Sequence, residues 1–124
     1  MNIVILTGRL VKDVELSTSE KKEGKNEVKY VKNTLAVKRD YKNANGEYDS
    51  DFINFVVYGP SAEFLAKHAT KGTFVELNGS LQISEYLDKE ENKKYNYQVI
   101  VDSLVIPPVA KKEGSDKEKI VEEK

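Results

Sequence analysis

The sequence contains no cysteine, no tryptophan, one histidine and three prolines. Without cysteine there is no disulfide framework and no thiol nucleophile, which suits a reducing cytosol. With His68 alone, a histidine metal pair is excluded, and any Ser-His-Asp site would have to centre on that residue. It lies in the helical stretch LAKHATKG, where a surface or satisfied histidine is the ordinary reading. No apolar run is long enough to span a membrane. The start, MNIVILTGRL, lacks the basic residues that open a secretory signal, so a cytoplasmic protein is expected. Neither sign of charge dominates: 20 Lys and Arg face 21 Asp and Glu, for a formal net charge of −1. That balance excludes a histone-like polycation but permits a local basic stripe. The glycines are scattered and form no phosphate-cradling loop. Asp88, Glu90 and Glu91 lack the spacing of a calcium loop and read as a solvated turn. No catalytic residue, metal or cofactor is expected.

What is present is β patterning. A length of 124 residues suits one domain. Residues 1–106 read as folded. Residues 107–124 open with Pro107-Pro108, are then mostly Lys and Glu, and read as a short flexible tail. Period-two alternation predicts strands at Ile3–Lys12, Val28–Arg39, Asp51–Tyr58, Thr73–Tyr86 and Lys94–Ile106. Residues 17–27 read as a loop or wide hairpin tip, Asp40–Ser50 as a loop around Asn45-Gly46, and Leu87–Lys93 as a charged turn. Pro60–Thr70 is the one helix candidate, with Pro60 in its first turn, Phe64, Leu65 and His68 roughly on one side, and Gly72 ending it. Three strands, a short helix and two strands is the element order of the OB-fold, a five-stranded Greek-key barrel. The expected class is therefore all-β with one short helix, although other small β-domains share that order. In the first strand, IVIL is apolar on both faces, which calls for cover on both sides.

The aromatics are placed unusually. In DFINFVVY, Ile53, Phe55 and Val57 form an apolar set that reads as core, and Phe52, Asn54, Val56 and Tyr58 form the opposite set. In the fourth strand Val75, Leu77, Gly79, Leu81 and Ile83 face inward, while Tyr86 falls on the polar outer face. Tyr41 lies in a loop just after Lys38 and Arg39. Tyr41, Phe52, Tyr58 and Tyr86 thus sit where folding gives little reason for a ring, although cross-strand packing also favours such residues. Rings on a polar, partly basic surface suit stacking on unpaired bases, each base contributing about 1–3 kcal/mol, with nearby cations attracting phosphates.

These stretches also carry a resemblance. MNIVILTGRLVKDVEL, NTLAVKRDYKNANGEYDSDFINFVVYGPSAEFLAKHATKG and VELNGSLQISEYLDKEENKKYNYQVIVDSL look like the bacterial and phage-type single-stranded DNA-binding proteins. The resemblance covers nearly all of residues 1–106. It implies an OB-fold, a homotetramer, no catalysis, and single-stranded DNA as the ligand during replication, recombination and repair. It also implies base stacking on Tyr41, Phe52, Tyr58 and Tyr86. Arg9, Lys38, Arg39 and Lys42 are the phosphate candidates.

The sequence departs from that family in places. Tryptophan, used by many members for stacking, is absent, and Glu85 precedes Tyr86 where members often carry Lys or Arg. Members from cells often end in an acidic, hydrophobic tip that recruits replication and recombination proteins. Here the end is KIVEEK, so weak recruitment is expected. A short chain rich in Lys and Asn suggests a phage or mobile element of an AT-rich bacterial host. An RNA-binding OB module and a protein-interaction OB domain remain the alternatives.

Overall fold

The structure, a computed structural model, describes residues 1–19 and 27–108. Its elements are β1 (Val4–Leu10), β2 (Ser17–Thr18), β3 (Lys29–Lys42), β4 (Tyr48–Tyr58), α1 (Pro60–His68), β5 (Phe74–Leu87) and β6 (Lys93–Val105). The sheet order is β1-β5-β6-β4-β3-β2, and β1 also pairs with β3. That last contact, Arg9 with Ala36 and Leu10 with Leu35, closes five strands into a barrel. The two-residue β2 is an addition on β3 that the sequence pattern did not predict. The β4–β6 pair is parallel and the others are antiparallel. The fold is the OB-fold that the element order suggested.

The long loop expected over Asp40–Ser50 is mostly strand. β3 runs on to Lys42 and β4 begins at Tyr48, so only residues 43–47 turn. Asn43 causes this: its Oδ1 accepts from the backbone N–H groups of Asn45 at 2.8 Å and Glu47 at 3.0 Å. Gly46 takes the left-handed φ of 80° that the turn needs. The β5–β6 tip uses the same device. Asp88 Oδ1 accepts from Glu90 at 2.9 Å and Asn92 at 2.8 Å, so this acidic residue is a turn acceptor.

The barrel interior holds Val31, Leu35, Phe55, Val57, Val75, Leu77 and Val99, all buried. Helix α1 adds Ala62 and Leu65 to that core. It ends at His68, short of the expected Thr70, and Gly72 instead serves the following turn at φ 91°. Of the expected apolar side only Leu65 goes inward; Phe64 is exposed and lies 4.7 Å from the His68 ring. Gly8 and Gly79 mark close backbone approaches, where a Cβ would meet the carbonyl oxygens of Ala36 and Ile100. The β5–β6 register also shifts at Asn78/Gly79, re-aiming the hairpin arm beyond the barrel.

Buried Asn33 is satisfied by backbone. It accepts from Thr34 at 2.7 Å and Lys12 at 3.2 Å and donates to the Lys12 carbonyl at 3.1 Å, tying the segment after β1 to the barrel. In β1, Val4 and Leu6 pack against the core, but Ile5, and Ile3 just before the strand, are 64% and 60% exposed. The cover expected on that second face is not supplied by the described residues of this chain.

Candidate nucleic-acid interface

Register defines the outward side of the barrel. Val56 pairs with Lys32 on β3 and Ile100 on β6, and Ile100 pairs with Ser80 on β5. Stepping by two from that row brings Phe52 and Tyr58 of β4 and Tyr86 of β5 to the same side. All are well exposed: Phe52 67%, Tyr58 48% and Tyr86 53%. Tyr41 is also exposed, but it lies in the irregularity between Lys38 and Lys42 on the β3–β4 arm, apart from the ordered ladder. One expected outward residue differs. Val56 is fully buried, though it lies outside the main core cluster, because its row neighbours Lys32 and Ile100 flank it on both sides.

The phosphate candidates divide. The Arg9 guanidinium donates to the Gly72 carbonyl at 3.0 Å and lies 5.6 Å from the Phe74 ring centroid. Lys38 and Lys42 approach the Tyr48 ring at 4.4 Å and 5.8 Å. Arg9, Lys38, Tyr48 and Phe74 line a groove of about 900 Å³ between β1 and the β3–β4 arm. Arg39 is engaged elsewhere. Its Nε and Nη2 grip both oxygens of Asp51, the shortest contact being 2.7 Å. The hydrogen bond from Arg39 holds the Asp51 carboxyl below its ordinary range, and the same bond and charge raise the arginine further. A phosphate would have to compete with that carboxylate for Arg39.

Sequence reasoning missed several residues of this surface. Tyr48 fell in a stretch read as loop, and Tyr30 gave no local signal because its relation to Tyr58 depends on register. Lys94 stands directly opposite Tyr86 in the β5–β6 ladder. The basic neighbour that Glu85 lacks along the chain is therefore supplied across the hairpin. Glu85 itself points to the other face and lies 3.5 Å from Lys93. Among the described residues, no group of three or more His, Cys, Asp and Glu is placed to hold a metal, and no helix is long and apolar enough to cross a membrane.

The model of the Single-strand binding protein family matches residues 1–106. A single-stranded DNA-binding protein of Staphylococcus aureus (strain N315) is 40% identical over 104 residues, covering 84% of this chain and 64% of that protein. Single-stranded DNA-binding protein 1 of Lactococcus lactis subsp. lactis (strain IL1403) is 35% identical over 119 residues, covering 96% and 76%. The protein of the same name from Streptococcus pyogenes serotype M18 is 37% identical over 106 residues, covering 86% and 78%. The match thus spans a little under two thirds of the length of the staphylococcal relatives. With a family match over residues 1–106 and relatives at this identity, the chain belongs to the single-strand binding protein family.

Proposed function

We propose that the chain binds single-stranded DNA without reading its sequence, and protects it during replication, recombination and repair in the bacterial cytoplasm. The observation that carries this reading is the set of exposed rings, Phe52, Tyr58 and Tyr86, on one outward sheet face with lysines across the strands. Flat rings accept any base, so the contact is tolerant of sequence. Tyr41 extends the set along the β3–β4 arm. Arg9, Lys38, Lys42 and Lys94 neutralise phosphates, and Arg39 joins them when Asp51 releases it. Residues 1–106 are the binding domain; the expected tail, 107–124, lies almost wholly outside the described residues. The chain acts as a binder, not an enzyme.

The exposed side of β1 supports self-assembly. Val4–Gly8 pair only with β5 among the described residues, which leaves a strand edge beside the exposed Ile3 and Ile5. A second copy of β1 covers both the edge and the apolar side chains, as a step toward a homotetramer. Titration of fluorescein-labelled oligo-dT, with RNA and duplex DNA of equal length as competitors, tests the ligand. Equal affinity for RNA, or no binding to oligo-dT at low salt, would overturn the reading.

A further inference from the structure

The start of β3 turns two residues outward, Tyr30 and Lys32. Tyr30 stands directly opposite Tyr58 in the β3–β4 ladder, with ring centroids 6.2 Å apart and planes tilted by 49°. That is direct ring-to-ring contact, and the tilt leaves no parallel slot for a base between them. The two rings therefore have unequal roles. Tyr30 is half-buried and braces its neighbour, whereas Tyr58 keeps an open face. Lys32 is the next outward residue of β3; it is exposed, and its Nζ lies 5.8 Å from the Tyr30 ring.

The charge at this end needs a source. Lys38, the nearest phosphate candidate on β3, is about 20 Å farther along the strand at about 3.4 Å per residue. Lys29 lies 3.9 Å from Glu63, which partly neutralises it. Among the described outward residues of β3 and β4 near Tyr58, Lys32 is the cation.

We propose that Tyr30, Lys32 and Tyr58 form a one-nucleotide subsite for the single strand. The base lies on Tyr58, Tyr30 is a positioning residue that holds that ring, and the Lys32 ammonium takes the phosphate. The proposal rests on the single-strand reading above. It extends the binding track to the helix-proximal end of the sheet through residues that no sequence neighbour announces.

Anisotropy titrations of labelled oligo-dT over a salt series test it, using wild type, Lys32→Gln, Tyr30→Leu, Tyr30→Phe, Tyr58→Ala and the Tyr30→Leu/Tyr58→Ala pair, with melting of each. Lys32→Gln is expected to flatten the log-log salt slope by about 0.7, the share of one phosphate on a single strand. Tyr30→Leu is expected to weaken binding about fivefold, as part of one stacking contact, and Tyr30→Phe to restore it. In the Tyr58→Ala background, Tyr30→Leu should have no further effect, because it acts through that ring. If Tyr30→Leu fails to fold, Lys32→Gln and Tyr30→Phe decide. Wild-type binding with an unchanged slope for Lys32→Gln, or a Tyr30→Leu loss that persists without Tyr58, overturns the subsite alone. Absence of wild-type binding overturns the single-strand reading and the subsite with it.

Discussion

Replacing Asp51 by asparagine tests whether Arg39 is held in reserve. In the native protein both carboxylate oxygens accept from the guanidinium, at 2.7 Å to 3.2 Å. The hydrogen bond from Arg39, ahead of its charge, keeps the Asp51 carboxyl below its usual range, so it stays ionised at neutral pH and retains its partner. The substituted amide would keep the shape but lose the charge and one acceptor oxygen, which frees a cation close to Lys38 and Tyr41. One more neutralised phosphate steepens the log-log salt slope by about 0.7, so the loss of affinity between about 50 and 200 mM salt grows by about 2.6-fold. Affinity at low salt rises. Anisotropy with labelled oligo-dT at several salt concentrations reads both quantities, and the Asp51→Asn/Arg39→Gln pair should return the slope to the native value. An unchanged slope in a variant that melts normally, or a gain that survives loss of Arg39, would refute the argument. The pH sign follows from the depressed carboxyl. The ion pair is intact above the ordinary carboxylate range and is lost as pH falls through the lowered value, so in acid the native protein should converge on the variant.

Tyr41→Ala, Phe52→Ala, Tyr58→Ala and Tyr86→Ala should each weaken oligo-dT binding by about 1–3 kcal/mol with little change in melting, since all are exposed; normal binding by all of them would mean that the stacking surface lies elsewhere. Ile5→Glu places a charge on the uncovered side of β1 and should shift the mass seen by native mass spectrometry from tetramer to smaller species, whereas a native protein that is monomeric at micromolar concentration defeats the assembly proposal. Gly79→Ala pushes a Cβ against the Ile100 carbonyl and should lower stability by about 1–3 kcal/mol in urea melts, as other overpacked sites do. Truncation after Ile106 should leave affinity within about twofold, because residues 107–124 carry five Lys against five acidic residues and no ring to add a stacked base; calorimetry on both forms checks this.

Much of the architecture was legible in the residues. Alternation separates Phe55 and Val57, which are buried, from Phe52 and Tyr58, which are exposed, because strand side chains point to opposite faces whatever the fold around them. Asn45-Gly46 marked a turn, and Pro60 marked the start of the helix. The same rule misjudged Val56, the inward placing of Leu81 and Ile83, which are exposed on the arm of β5 beyond the barrel, and the length of the β3–β4 arm, since burial of a residue and closure of a loop depend on what lies alongside. Phe52, Tyr58 and Tyr86 share one side only because β6 is inserted between β4 and β5 in the sheet. Arg39 looked like a free cation in VKRDY until the ladder brought Asp51 against it. Lys94 opposite Tyr86, and Tyr30 opposite Tyr58, are products of register. The sequence by itself determined where the five barrel strands and the helix lie and that Phe52, Tyr58 and Tyr86 turn away from the core, because backbone sterics and alternation are local. Which cation meets which ring was decided only by the tertiary structure, because strands distant along the chain become neighbours only when the barrel closes.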